Sequence, residues 1–164
     1  MWFFFSKPRV YIIYGSSNGN SKSVATKLYN HIKFKTKTWL DTFNNFNLQD
    51  IDSHHQQQPT LLVFLVSTTG DGEFPDNAIL GWKLLRKQLK SLCGGGLPNF
   101  SYIVCGFGDS NYRSFCHPAK CLNRQLSRYI REETTITLVD DALEPNKQIS
   151  EWLIKTTSII DNLK

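Results

Sequence analysis

The chain has 164 residues, of which 40% are hydrophobic and 20% are charged, and its formal net charge is +5. This size and balance are typical of one folded domain with a sizeable core, and they exclude an intrinsically disordered chain. No stretch approaches the ~18–20 consecutive apolar residues of a membrane span, so no transmembrane segment is expected.

Short apolar runs alternate with longer amphipathic segments along the chain. We predict strands at 9–14, 35–40, 61–66, 100–105 and 134–139, and helices at 21–32, 77–90, 115–130 and 147–160. The stretch 50–58 is interpreted as an exposed loop, and its His54–His55 pair has no third metal ligand nearby. The alternation predicts an α/β fold with a doubly wound, five-stranded parallel sheet of flavodoxin-like order 2-1-3-4-5, as one domain over residues 1–164.

The first residues of the chain and its cysteines indicate the cellular compartment in which the protein is expected. The apolar run in residues 1–8 is shorter than the ~7–15 residues of a signal-peptide core, so we expect a short tail or a strand extension there. The four cysteines show no metal-ligand spacing, and Cys105 lies in an apolar run as a small core residue. A cytoplasmic, reducing location is therefore expected.

The first loop, YGSSNGNS at residues 14–21, joins a predicted strand directly to a predicted helix. Free backbone N–H groups and the helix dipole at such a junction can hold a phosphate. The loop has neither the GK[ST] ending of a P-loop nor the GxGxxG spacing of a dinucleotide site. A simple helix cap needs only one of these polar residues, so the pattern favours a phosphate site.

Two further polar loops follow buried strands and face the same crevice. They are STTGDGEFPDNA at residues 67–78 and GFGDSNYRSFC at residues 106–116. Tyr112 is an aromatic residue in a glycine-rich, polar loop, as expected of a side chain that covers a flat ring. In this fold, ligands bind between the carboxyl ends of the first and third strands, where these loops meet.

These three stretches resemble, in order and spacing, the FMN-binding loops of the diflavin reductase family. The likeness is closest to the methionine synthase reductase, NADPH-dependent diflavin oxidoreductase and cytochrome P450 reductase branches. It implies FMN as the cofactor. The residues that it implies are Ser16, Ser17, Asn18, Gly19, Asn20 and Ser21 at the phosphate, Thr68, Thr69, Gly70, Asp71 and Gly72 at the ring edge, Tyr112 on one ring face, and Phe107, Gly108, Asp109, Phe115, Cys116, Asp140 and Asp141 in the same loops or the acidic turn after the fifth strand.

The chain departs from the family pattern at two positions. Asn18 stands where a threonine is usual, so an amide replaces one phosphate hydroxyl. Thr69 stands where P450 reductases have a second stacking aromatic, which implies a less covered ring face. The 164 residues also hold no counterpart of the FAD- and NADPH-binding half of such reductases.

FMN carries redox chemistry itself, so no catalytic side chain and no metal are expected. Gly70 or Gly72 could turn its peptide towards ring N5, since glycine tolerates either sign of φ. The implied function is one-electron transfer from an NADPH/FAD reductase domain to an acceptor protein, without NADPH oxidation by the chain alone. Alternatives are a free-standing electron shuttle and a two-electron quinone reductase. A receiver domain would need an acidic pair where this chain has Tyr14-Gly15-Ser16.

The charges are distributed unevenly. Seven of the fourteen acidic residues lie in or beside the crevice loops: Asp71, Glu73, Asp76, Asp109, Asp140, Asp141 and Glu144. Basic residues concentrate on two predicted helices, and we interpret them as solvated faces: Lys83, Arg86, Lys87, Lys90, Lys120, Arg124, Arg128 and Arg131. The acidic mouth predicts docking of a basic acceptor protein, and it argues against nucleic acid as the partner.

Overall fold

Five parallel strands form one sheet in the order β2-β1-β3-β4-β5, which confirms the predicted topology. The computed structural model describes residues 7–52, 58–92, 94–131 and 135–163. The strands are β1 (Arg9–Gly15), β2 (Lys37–Thr42), β3 (Thr60–Ser67), β4 (Phe100–Gly108) and β5 (Thr135–Asp140). The helices are α1 (Asn20–Ile32), α2 (Leu48–Asp52), α3 (Asp76–Lys90), α4 (His117–Leu126) and α5 (Pro145–Asp161), with a 3-10 turn at Phe43–Asn45.

The central strand β3 reads as an unbroken apolar run because both of its faces are covered. Every residue from Leu61 to Val66 is at most 2% exposed. One core layer contains residues of α3 and α4, such as Leu85 and Leu122. The other contains residues of α1 and α5, such as Leu28 and Trp152. Helices on both faces leave the carboxyl ends of the strands as the open edge where loops meet.

The strand β4 extends three residues beyond the predicted end, through Gly106, Phe107 and Gly108. We expected Gly106 to begin a loop, but it pairs with Val66 inside the sheet. A Cβ atom at Gly106 would lie 2.5 Å from the Cβ of Ala119 on α4. The glycine is therefore required by the close approach of a helix, and not by a turn.

The helix after β4 is shorter than the predicted span 115–130. It begins at His117, because Cys116 adopts the left-handed conformation at φ 50° and Pro118 stands in the first turn. It ends at Leu126, where the Ser127 hydroxyl donates to the carbonyl of Arg124 at 3.1 Å. Phe115 consequently belongs to the loop that precedes the helix.

The prediction of an exposed loop over residues 50–58 is wrong at its start. Leu48–Asp52 forms the short helix α2. Leu48 and Ile51, three residues apart, are both buried, at 2% and 4% exposure. Their spacing is helical, and it was the available signal. His54 and His55 lie outside the described residues, as do residues 1–6.

The edge strand β2 begins and ends two residues later than predicted. Its side chains alternate, with Lys37, Trp39 and Asp41 exposed. The ring of Trp39 stacks on that of Tyr11 in β1, with 4.4 Å between centroids and 6° between planes. Cross-strand packing of this kind holds the edge strand to the sheet.

Candidate functional site

The first loop leaves β1 at Gly15 and enters α1 through Gly19, whose backbone is left-handed at φ 85°. The hydroxyl oxygen of Ser16 accepts a hydrogen bond from the N–H of Gly19 at 2.9 Å. The buried hydroxyl of Ser21 donates to the carbonyl of Gly15 at 2.7 Å. Ser16 and Ser21 therefore use their hydroxyls to shape the loop.

The same loop keeps three backbone donors available. Within the described residues, nothing accepts a hydrogen bond from the N–H groups of Ser17, Asn18 or Asn20. All three residues are exposed. Unpaired N–H groups at the start of a helix attract an anion, because the helix dipole adds a partial positive charge there.

The second loop is closed by a small antiparallel bridge between Thr69 and Glu73. The Thr69 hydroxyl donates to the carbonyl of Glu73 at 3.2 Å, so it is engaged within its own loop. Gly70 and Gly72 both have positive φ, at 47° and 100°. Gly72 is buried, and a Cβ there would lie 2.7 Å from the Cβ of Ser114 in the third loop.

The third loop presents Tyr112 with its side chain 68% exposed. The Tyr112 N–H donates to the carbonyl of Asp109 at 3.0 Å, which forms a tight turn at the start of this loop. Gly108 and Cys116 pack together, since a Cβ at Gly108 would lie 3.0 Å from the Cys116 sulfur. The second loop is attached to this one because the N–H and hydroxyl of Thr68 both donate to the carbonyl of Phe107 at 3.0 Å.

The fourth loop follows β5 and lies beside the third. The N–H of Asp141 donates to the carbonyl of Gly108 at 2.8 Å. Asp140 is only 7% exposed, and its carboxylate accepts a hydrogen bond from the N–H of Ser110 at 3.0 Å. Asp141 is exposed. The two neighbouring aspartates thus occupy different environments.

The four loops surround a cavity of about 860 Å³. The predicted site residues that line it are Ser17, Asn18, Asn20, Thr68, Gly70, Asp71, Phe107, Gly108, Asp109, Tyr112, Phe115 and Asp141. Other predicted residues lie in the same loops but outside the lining: Ser16, Gly19, Ser21, Thr69, Gly72, Cys116 and Asp140. Ser67, Arg113 and Ser114 line it without having been chosen as site residues, although their positions inside the polar loops were a sufficient signal.

The lining has the chemistry that FMN requires. Hydroxyl, amide and free N–H donors of the first loop suit a phosphate group without a counter-cation. The exposed ring of Tyr112 suits a flat heterocycle. The cavity volume is within the usual ~300–1,000 Å³ of small-molecule sites. Among the described residues, no group of three His, Cys, Asp or Glu could hold a metal ion.

Comparison with known proteins identifies the family. The family model named Flavodoxin matches residues 12–152. The chain belongs to the flavodoxin family. As a flavodoxin domain it binds FMN, the cofactor implied by its three loops.

The flavodoxin domain is similar in sequence to parts of much longer enzymes. It is 36% identical over 123 residues to NADPH-dependent diflavin oxidoreductase 1 of Gibberella zeae. The aligned region covers 73% of this chain and 19% of that protein. It is 31% identical over 149 residues to the sulfite reductase [NADPH] flavoprotein alpha-component of Vibrio cholerae, covering 91% of this chain and 23% of that protein. The chain therefore spans about a fifth of the length of these relatives.

Solved flavodoxin structures share the fold of the domain. Oxidised flavodoxin 1 of Bacillus cereus superposes with a TM-score of 0.69 at 17% identity, over 95% of this chain and 99% of that one. A point mutant of the Pseudomonas aeruginosa flavodoxin gives a TM-score of 0.71 at 23% identity, over 94% and 99%. No helix of the described residues is long and apolar enough to cross a membrane.

The acidic residues of the FMN cavity influence one another. Partial burial, together with the charges of Asp109 and Asp140, raises the pKa of Asp141. Hydrogen bonds from Ser110, through its side chain and its backbone N–H, lower the pKa of Asp140. The salt bridge of the described residues, Lys35–Asp161, lies elsewhere. The acids at the cavity mouth therefore carry no neutralising ion pair within the described residues.

Two buried thiols, Cys105 in β4 and Cys116 at the end of the third loop, are chemically unreactive. Burial is the main cause that raises the pKa of Cys116 to about 12. Burial also raises the pKa of Cys105 well above its usual value. Both side chains are 0% exposed, which confirms Cys105 as a core residue. Because the reactive form of cysteine is the thiolate, these two groups serve packing.

Proposed function

We propose that this flavodoxin domain carries single electrons from an FAD- and NADPH-binding reductase module to an acceptor protein. The observation that carries the proposal is the cavity itself, in which an exposed aromatic, Tyr112, shares the lining with unpaired aspartates. The sequence similarity of the domain to an NADPH-dependent diflavin oxidoreductase supports a reductase module as the electron source. The domain supplies binding, orientation and electrostatics for a cofactor that supplies the redox chemistry.

The proposed roles of the side chains follow from their places. The free N–H groups of Ser17, Asn18 and Asn20 bind the phosphate. Tyr112 covers one face of the ring. Gly70, the glycine of the second loop that lines the cavity, would present its peptide carbonyl to ring N5, where the carbonyl oxygen would accept a hydrogen bond from N5–H. Thr69, whose hydroxyl is bonded within its own loop, leaves the opposite face without an aromatic cover.

The proposed docking surface for the acceptor surrounds the cavity mouth. Asp71, Asp109 and Asp141 line the cavity, and Glu73 is exposed beside it. Arg113 is the basic residue in the lining. Unscreened carboxylates around a redox edge attract a basic partner and speed its association. We also place the domain in the cytoplasm, since the described cysteines are free thiols.

A free-standing electron shuttle is the second candidate. The observation behind it is the shared fold, since the superposition covers 99% of the Bacillus cereus flavodoxin chain. The two candidates differ in the size of the native protein. An immunoblot with an antibody against the domain distinguishes them, because a diflavin reductase is several times longer than the domain.

The electron-transfer proposal is tested by reconstitution. The purified chain is first heated, and the released flavin is identified against FMN and FAD standards. The FMN-loaded chain is then mixed with NADPH and cytochrome c, with and without an FAD-containing NADPH reductase. We expect the released flavin to be FMN. We expect cytochrome c to be reduced only when the FMN-loaded chain, NADPH and the reductase are all present.

Two controls make the result specific. Cofactor-free chain should fail to couple the reductase to cytochrome c, which separates FMN transfer from direct reduction. Rapid NADPH oxidation by the FMN-loaded chain alone would contradict the proposal and favour a two-electron quinone reductase. Stoichiometric FAD in the extract would contradict the assignment of the phosphate loop.

A further inference from the structure

The third and fourth loops are tied together by one buried carboxylate. The Oδ1 atom of Asp140 accepts hydrogen bonds from the N–H of Ser110 and the N–H of Ala142, each at 3.0 Å. Ser110 lies in the third loop and Ala142 in the fourth. The adjacent N–H of Asp141 donates to the carbonyl of Gly108 at 2.8 Å, which adds a second link between the same loops.

The backbone of Asp140 is held in turn by Gln148 in the first turns of α5. Gln148 Oε1 accepts a hydrogen bond from the Asp140 N–H at 2.9 Å, and its Nε2 donates to the Asp140 carbonyl at 3.2 Å. Nε2 also donates to the carbonyl of Leu143. One amide side chain thus satisfies both backbone groups of Asp140 and fixes the turn that follows it.

Neither Asp140 nor Gln148 lines the cofactor cavity, whereas the loops that they join contribute Asp109, Tyr112 and Asp141 to it. We propose that Asp140 and Gln148 form a latch that sets the third loop relative to the fourth, so that both act as positioning residues for the FMN ring. Asp140 was expected from the sequence to be a cofactor ligand, and the latch gives it a different role. The proposal rests on FMN binding at this cavity.

The geometry of the latch predicts which substitutions it tolerates. Both donors meet the same oxygen of Asp140, so an asparagine oxygen can accept the same two bonds without the charge. The hydrogen bonds from Ser110 lower the pKa of Asp140, because they stabilise its ionised form. An alanine at 140 removes the acceptor and leaves two N–H groups unpaired, which is the costlier change.

The experiment compares Asp140→Asn, Asp140→Ala, Gln148→Ala and the double alanine variant, with Gln125→Ala on α4 as the matched control. FMN affinity is measured by fluorescence titration at pH 7. We expect Asp140→Ala and Gln148→Ala each to weaken binding about tenfold, the value of one or two net hydrogen bonds. Asp140→Asn and the control should stay within about threefold of wild type, and the double variant should lose less than the product of the single losses because the two residues act together.

Amide hydrogen exchange of the cofactor-free chain provides a second measurement. Gln148→Ala should speed exchange at Ser110, Asp141 and Ala142, while amides of β1 keep their protection. This result would support the latch even if wild-type chain bound no FMN, an outcome that would overturn the proposed function alone. The latch is overturned if exchange at these three amides is unchanged, if Asp140→Asn weakens FMN as much as Asp140→Ala, or if the two alanine losses multiply.

Discussion

The side chain of Asn77 on α3 accepts a hydrogen bond from the Ser16 N–H at 2.9 Å, across 61 positions of sequence. This contact fixes the start of the first loop against the helix that follows β3. It also uses a backbone donor that would otherwise compete with Ser17 and Asn18 for an anion. The first loop is therefore shaped partly by a residue outside it.

We expect Asn77→Ala to weaken FMN binding by about 1 kcal/mol, the net value of one such hydrogen bond. Asn77→Asp should retain the acceptor and the loop position but add a negative charge near the phosphate. Asn30→Ala, on the exposed surface of α1, is the control. Equal FMN affinity for the Asn77→Ala variant and the control would show that the contact does not support the loop.

Tyr112→Ala should weaken FMN binding by roughly 1–3 kcal/mol, the scale of a lost aromatic stack. The free energy of unfolding of the cofactor-free chain should hardly change, because Tyr112 is 68% exposed and is not part of the core. Fluorescence titration and chemical denaturation measure the two quantities. Phe34→Ala removes an aromatic side chain that is 79% exposed elsewhere, and it should alter neither of them.

Gly72→Ala should destabilise the fold by more than a positive φ alone explains. Gly94 has φ 81° with open space around it, so Gly94→Ala measures the backbone strain, about 1 kcal/mol. At Gly72 the new methyl group would also meet Ser114 at 2.7 Å, which adds about 1–3 kcal/mol of overpacking. Denaturant unfolding of the cofactor-free variants gives both values, and equal losses would contradict the close packing of the two loops.

Asp141→Asn should raise the melting temperature of the cofactor-free chain modestly at pH 7. The pKa of Asp141 is raised in the folded state by burial and by Asp109 and Asp140, so its ionised form opposes folding at neutral pH. As the pH falls through the raised pKa the carboxyl becomes neutral, and the difference between variant and wild type should vanish. Asp50→Asn, at an exposed position on α2, is the matched control. If the Asp141→Asn variant were less stable than wild type at pH 7, the ionised carboxylate of Asp141 would stabilise the fold, contrary to this prediction.

Electron transfer from the FMN-loaded domain to cytochrome c should slow with added salt, as the Debye length shortens from ~10 Å at 0.1 M to ~3 Å at 1 M. Joint Glu73→Lys and Asp141→Lys substitution should slow it further at low salt, while FMN content stays normal. The pair Asp50→Lys and Glu151→Lys makes the same change in net charge away from the cavity. If both pairs slowed the reaction equally, or neither did, the docking surface would lie elsewhere.

The sheet order and most strand positions could be predicted from the sequence because burial on both faces leaves a direct mark, as in β3. Edges were harder. The strand β2 was placed two residues early, since its alternation of exposed and half-buried side chains extends through Asp41 and Thr42. Gly106 to Gly108 were assigned to a loop because glycine is a turn residue. Their place in β4 depends on close packing against Ala119 and Cys116, which follow later in the chain and contact these glycines only in the folded structure.

The loops that form the cavity could be predicted from the sequence, but the hydrogen-bond partners of their individual side chains could not. Ser16, Ser21 and Asp140 carry the polar groups expected of ligands, yet all three bond to the backbone of the loops. Gln148 carried no signal, because a single amide in a helix has no distinctive pattern, and the place of Asn77 at the end of the second polar stretch did not indicate its contact with Ser16. Which polar group faces the ligand and which one faces the protein depends on tertiary contacts.

Among the residues that the structure describes, no strand pairs with the outer side of β2, where a free row of N–H and C=O groups can template the growth of a sheet from one molecule to the next. Lys37 and Asp41, exposed near its two ends, would have to be stripped of water in any such pairing. Trp39 stacks on Tyr11 but is still 44% exposed, so the strand presents two charges beside an aromatic ring where association would begin. The consequence concerns expression and storage: replacing both charges with valine should increase self-association of the domain through this strand.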